Sequence, residues 1–122
     1  MDYERAIKIS KNAHNLRKIE NATHIQEVSN KRCGDNFTLY LLIKDGKIED
    51  ASFDGMGCAA AIAGFSILTE AIKNSRIENT ITIGEDAVKK ELKIEEKDTG
   101  SKCAFLSLEA LKAALVKKDE KY

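Results

Sequence analysis

The chain of 122 residues contains no proline, so turns and helix ends have to be read from Gly, Asn and Asp. Net charge is absent as well. Twenty Lys and Arg balance twenty Asp and Glu, which leaves no overall field to hold nucleic acid or an anionic membrane and points to protein or small-ion partners. No apolar run is long enough to cross a bilayer, and Met1-Asp2-Tyr3-Glu4-Arg5 is charged and leads into no apolar stretch, so neither a membrane span nor a secretory signal is expected. The expected setting is the cytoplasm. Cysteine is scarce too: there are three, and no two of them form a CxxC pair. An odd number in a reducing compartment argues against a disulfide framework and for thiolate chemistry or metal binding. The length fits a single domain over 1–122 whose last residues, 119–122, fray.

The pattern of the chain predicts an α+β domain, a small three-stranded antiparallel sheet packed by helices on one face. Tyr3, Ala6 and Ile7 at helical spacing predict a short helix over 3–14. An irregular stretch marked by Asn12, Asn15 and Asn21 follows, with a first strand at His24 to Val28. Phe37, Leu39, Leu41 and Ile43 alternate with polar neighbours as a strand does, and Asp45-Gly46 is a type I′ hairpin signal. The return strand, Lys47 to Phe53, breaks its period, which places a bulge near Glu49-Asp50. Gly55 and Gly57 end the sheet, and from Cys58 the stripe Ala61, Phe65, Leu68, Ile72 predicts a helix to about Asn74. Thr80-Ile81-Thr82-Ile83 looks strand-like, so the next helix is expected to begin near Gly84. A last helix is expected from about Ser101 to Lys118, with Ala104, Leu108, Leu111 and Leu115 inward.

Each cysteine stands beside a turn or an expected helix start. Cys33-Gly34-Asp35 forms a tight loop that can aim a thiol and a carboxylate at one point, with Gly34 letting the backbone approach it. Cys58 closes Gly55-Met56-Gly57-Cys58, and Cys103 follows Thr99-Gly100-Ser101-Lys102 in what is read as the first turn of the last helix. Unpaired amides at a helix N-terminus favour the thiolate. Three thiols and one carboxylate make the four-ligand set that zinc or iron-sulfur sites require. Isolated cysteines in small domains are mostly inert core residues, yet buried filler needs neither the paired glycines before Cys58 nor the Cys-Gly-Asp loop. A carboxylate oxygen is a harder, weaker partner for iron than a fourth thiolate, so a site containing Asp35 suits hand-over better than storage.

Cys33-Gly34-Asp35-Asn36, the hairpin Leu39 to Phe53, Phe53-Asp54-Gly55-Met56-Gly57-Cys58 leading into an Ala-rich helix with Thr69-Glu70-Ala71-Ile72-Lys73, and Lys102-Cys103-Ala104 followed by Leu108-Glu109-Ala110-Leu111-Lys112 together resemble the IscU/SufU/NifU-type iron-sulfur cluster scaffolds. The resemblance runs from Tyr3 to about Leu115. It implies Cys33, Cys58 and Cys103 as ligands of a transient [2Fe-2S] cluster or of zinc, with Asp35 keeping the site labile. It also implies a cysteine desulfurase as persulfide donor, iron-sulfur acceptor proteins, and a scaffold, not a turnover enzyme. Tyr3 matches a tyrosine linked in such scaffolds with docking or transient self-association as a homodimer, and it can equally be a packing residue.

The chain departs from both main branches. Lys102 stands where IscU-type chains have histidine, as in SufU-type chains, but the SufU-type insertion between the second and third cysteines is missing. Glu95 to Gly100 replaces the proline-containing chaperone motif, and Asn30-Lys31-Arg32 replaces the usual proline before the first cysteine. A protonated Lys102 cannot ligate metal, but it can pair with Asp35 or stabilise thiolates and a persulfide. IscU-like logic puts the persulfide on Cys103 and SufU-like logic on Cys33. The alternative function is a SufU-like zinc-dependent sulfur acceptor, and a purely structural zinc domain is a third reading. His14 and His24 read as surface residues, and the Lys and Glu alternation over 85–97 as a solvated face.

Overall fold

Strand pairing around one aromatic row organises the chain. The computed structural model describes residues 1–31, 34–95 and 102–119; the expectations that concern Cys33, residues 96–101 and the frayed end 120–122 lie outside the described residues. The elements are α1 (Tyr3–Lys11), β1 (His24–Asn30), β2 (Asp35–Lys44), β3 (Lys47–Met56), α2 (Ala59–Ile72), a 3-10 turn at Ile77–Asn79, α3 (Thr80–Glu91) and α4 (Leu106–Asp119). The three strands form an antiparallel sheet in the order β1-β2-β3, with Gln26 opposite Leu39 and Leu39 opposite Phe53.

Alternation sets the sheet's inner face. Phe37, Leu39, Leu41, Ala51 and Phe53 are wholly or almost wholly buried, and α2 packs against β3 while α4 packs against β1. Phe65 of α2 closes the aromatic row, 4.8 Å from the Phe37 ring and 5.2 Å from that of Phe53. Each such pair adds about 0.5–1.5 kcal/mol beyond area burial. The hairpin forms as expected, with φ of 53° at Asp45 and 77° at Gly46. So does the bulge: Leu42 opposes Asp50 while Ile43 opposes Ile48, leaving Glu49 as the extra residue.

Several boundaries differ from expectation, each for a local reason. α1 stops at Lys11, three residues early, and its buried face is Ala6, whereas Tyr3 and Ile7 face solvent. The chain beyond it is held by Asn15, at φ 67°. Its side chain donates to Thr69 and Glu70 of α2 and accepts from Lys73, and its backbone carbonyl accepts from Phe53 N–H. β3 continues through Gly55 to Met56. Instead of a single buried stripe, α2 is enclosed almost all round from Ala60 to Thr69, because α1, α3, α4 and β3 all pack on it.

α3 starts at Thr80, not near Gly84. Thr80 Oγ1 donates to Ile77 O at 2.8 Å and fixes the first turn after the 3-10 segment. Gly84 lies mid-helix against Leu68, where a Cβ would come within 2.9 Å of Cδ1, so packing overrides the strand-like Thr-Ile-Thr-Ile pattern. α4 begins at Leu106, so Cys103 precedes the helix instead of lying in its first turn. Two tight turns lead into it, Phe105 N–H to Lys102 O and Leu106 N–H to Cys103 O, both at 3.2 Å.

Candidate metal centre

Asp35 is the first residue of β2 and is 1% exposed. A buried carboxylate needs hydrogen-bond partners, and its partner is Cys58, which caps α2 with extended backbone. The Cys58 N–H donates to Asp35 Oδ1 at 2.8 Å, and the Cys58 thiol donates to Oδ2 at 3.8 Å. One of the free amides at the start of α2 is thus spent on the carboxylate that stands beside the thiol.

Gly57 makes this contact feasible. A Cβ there would lie 2.5 Å from Asp35 Oδ1 and 2.6 Å from Phe37 Cε2. Phe37 belongs to the buried aromatic row and cannot yield, so position 57 has to lack a side chain. Gly34 has a conformational requirement of its own. No described atom lies within 4 Å of where its Cβ would be, and its φ of 70° is what calls for glycine.

Cys103 arrives from the other end of the chain. The Ala104 carbonyl sits where a Cβ on Gly64 of α2 would be, 2.1 Å from that point. The turn carrying Cys103 is thereby pressed against the helix that carries Cys58 at its start. Asn30, at the end of β1, donates from Nδ2 to Cys103 Sγ at 3.8 Å. Ligand atoms of Asp35, Cys58 and Cys103 all lie within 4.8 Å of one another. Cys33, two residues before Asp35, lies outside the described residues.

Donor chemistry and spacing suit a soft or borderline cation. Ligands at about 2.0–2.3 Å from a tetrahedral ion stand roughly 3.3–3.8 Å apart, so this trio closes on one with movements of about 1 Å. Once all three were ionised, as metal ligation requires, ligands about 4 Å apart would repel by about 4 kcal/mol per pair at an effective dielectric of 20. A divalent cation or a cluster relieves that repulsion. Both thiols are half-buried, sheltered yet reachable.

Other expected residues are placed elsewhere. Lys102 is exposed and forms no ion pair with Asp35 or with any other described carboxylate. Tyr3 is 58% exposed, which removes its packing role. His14 is exposed; half-buried His24 has Nδ1 2.8 Å from Thr23 Oγ1, and neither histidine joins the ligand group. Glu85 pairs with Lys89 along solvated α3. Gly64 and Asn30 were missed as site-building residues. A glycine inside an otherwise strong helix was the available signal for Gly64; no sequence signal tied Asn30 to Cys103.

The three donors, one at a strand start, one at a helix start and one in a turn, converge on one candidate metal site in an α+β domain. The NifU-like N terminal domain family model matches residues 2–122, and the chain belongs to that family. It is 42% identical over 105 residues to iron-sulfur cluster assembly scaffold protein IscU 1 of Archaeoglobus fulgidus, covering 86% of this chain and 68% of that one. A 63-residue stretch is 33% identical to the zinc-dependent sulfurtransferase SufU of Bacillus subtilis, covering 52% of this chain and 43% of the relative. A crystal structure of a candidate SUF-system iron-sulfur scaffold from Fervidobacterium islandicum AW-1 superposes with a TM-score of 0.78 at 28% identity, over 92% of this chain and 94% of that one. Among the described residues, no helix is long and apolar enough to cross a membrane.

Proposed function

We propose that this protein is a scaffold on which [2Fe-2S] clusters are built de novo from iron and from persulfide sulfur supplied by a cysteine desulfurase, and from which they pass to acceptor proteins. The observation that carries this reading is the convergence of Asp35, Cys58 and Cys103 within 4.8 Å, with Cys33 two residues from Asp35 as the fourth donor. The scaffold names of relatives such as the Archaeoglobus protein support it. Thiolates hold the cargo, and the carboxylate in place of a fourth thiolate lowers the cost of letting it go. Because the donors come from separate segments, loading also ties β2, the start of α2 and the turn before α4 together, so metal binding couples to folding.

Anaerobic reconstitution with iron, a desulfurase and cysteine tests the reading. A visible [2Fe-2S] chromophore is expected, and it should disappear in Cys33→Ser, Cys58→Ser and Cys103→Ser. Zinc that iron cannot displace, together with faster desulfurase turnover in the presence of the protein, would overturn it in favour of a second reading.

That second reading is a SufU-like zinc-dependent sulfur acceptor. It is favoured by Lys102 directly before Cys103, where no histidine is available, and by the Bacillus relative. The same four side chains fit zinc by donor type, three thiolates and one carboxylate. Zinc would there supply Lewis-acid stabilisation of thiolates, while Cys33 or Cys103 takes the sulfur.

A further inference from the structure

Beside the ligand trio lies a pocket of about 520 Å3 lined by Ser29, Asn30, Lys31, Lys102, Phe105, Leu106 and Glu109. That size suits a small molecule, not a folded partner. Its polar groups are unevenly charged: Lys31 and Lys102 are both exposed and pair with no described carboxylate, against the single Glu109. Phe105 is half-buried and Leu106 buried, which gives an apolar floor. Asn30 is wall to this pocket and hydrogen-bond donor to Cys103 Sγ at once. Lys102 adjoins Cys103 in the chain. An occupant therefore lies next to one particular thiol of the centre.

We propose that this pocket binds a small zwitterionic thiol bearing more carboxylate than ammonium charge, and that the thiol takes sulfane sulfur from a Cys103 persulfide. Two lysines receive two carboxylates and Glu109 receives one ammonium, while Phe105 and Leu106 carry the methylene stem. In the transfer step the thiolate of the bound molecule attacks the outer sulfur of Cys103–S–SH. A sulfur–sulfur bond forms in the small persulfide as the bond to Cys103 Sγ breaks, and its electron pair stays on the Cys103 thiolate. The proton lost by the small thiol goes to solvent. Sulfane sulfur is relocated with no net oxidation or reduction. The step rests on the proposed acceptance of persulfide sulfur, whereas the pocket and its ligand do not.

Two measurements separate these parts. Unreactive S-methylglutathione, titrated into the full chain, is expected to shift NMR signals of Asn30, Lys31, Lys102 and Phe105 saturably. In a K31A/K102A double variant the affinity should fall about tenfold, within what two exposed ion pairs supply, and a K31R/K102R variant should retain it. Absence of saturable shifts, or shifts unchanged by K31A/K102A, overturns the pocket. For the transfer, protein is persulfidated by a desulfurase, freed of enzyme and cysteine, checked by mass spectrometry at Cys103, and mixed anaerobically with glutathione or 2-mercaptoethanol. Saturable release of glutathione persulfide, against a linear response to 2-mercaptoethanol, is the expected result. Linear release by both overturns the transfer step. If no persulfide reaches Cys103 while S-methylglutathione still binds, sulfur acceptance at that thiol and the transfer step both fall, and the binding pocket stands.

Discussion

Cys58 and Asp35, 23 residues apart, are joined twice, by a 2.8 Å hydrogen bond from the Cys58 N–H to Oδ1 and a 3.8 Å contact from its thiol to Oδ2. The carboxylate is thus both a donor to the proposed metal and the cap that aims the helix bearing one of its thiols. These two roles can be separated by substitution.

Asp35→Ala removes the acceptor of the Cys58 amide and the oxygen donor together. Leaving that amide without its partner should cost about 1–3 kcal/mol. A cluster assembled on the variant should pass to an acceptor more slowly, by the order of tenfold. Thermal unfolding and circular dichroism of cluster transfer check the two effects, and unchanged or faster transfer would contradict the role given to Asp35. Asp35→Asn, which keeps the acceptor oxygen, should recover much of the stability and none of the wild-type transfer rate.

Gly64→Ala should affect Cys103 without touching Cys58 or Asp35. The added Cβ meets the Ala104 carbonyl, and the turn must move or the helix must shift. Overpacking of this kind costs about 1–3 kcal/mol. Metal affinity should drop while the hydrogen bond from the Cys58 amide to Asp35 persists, which amide chemical shifts can follow. Wild-type affinity and stability would show that Ala104 yields freely.

Gly57→Ala attacks the other side of the centre, against Asp35 and Phe37. Since Phe37 is buried against both Phe53 and Phe65, relief has to come from the carboxylate. Loss of metal binding should exceed that in Gly64→Ala, at a similar stability cost of about 1–3 kcal/mol. Parallel metal titrations and denaturant melts of the two variants give the comparison.

Acid should loosen the irregular stretch before it reaches the core. Arg17 donates to Asp50 at 2.8 Å, and this hydrogen bond holds the Asp50 carboxyl below its usual range. Glu70 is likewise lowered, by Asn15 first and then by Lys73. A lowered folded-state value means stability that is present above the unfolded-state pKa, near 4, and is lost as pH falls through the folded value. The pairs are partly exposed, so each is worth about 0.2–1 kcal/mol. Asp50→Asn should flatten the decline of melting temperature below about pH 4; a decline as steep as in the wild type would assign it to other carboxylates.

The fold was largely legible because its main signals are local. Alternation over Phe37 to Ile43, the Asp45-Gly46 turn and the stripe from Ala61 to Ile72 are read within a few residues. What the sequence hid depends on distant partners. Thr80 to Ile83 becomes helical because Gly84 packs on Leu68, and α4 starts late because two tight turns over Lys102 to Leu106 precede it. Residues with unusual chemistry stood out: Asp35, Cys58 and Cys103 were singled out, and the fold draws them together. The residues that position them carry ordinary chemistry: Gly64 shows only as a glycine inside a strong helix, and the roles of Phe37 and Asn30 come from their contacts. Of the two roles open to Lys102, pairing with Asp35 or stabilising thiolates and a persulfide, the first is not formed: the Cys58 amide holds that carboxylate and the lysine is exposed.

X-ray absorption at the zinc edge tests the four-donor centre most directly. Zinc-loaded protein should show a first shell of three sulfurs at about 2.3 Å and one oxygen at about 2.0–2.2 Å, with the oxygen replaced by a fourth sulfur in Asp35→Cys. A shell of nitrogen and oxygen alone, or one unchanged by that substitution, would contradict the account.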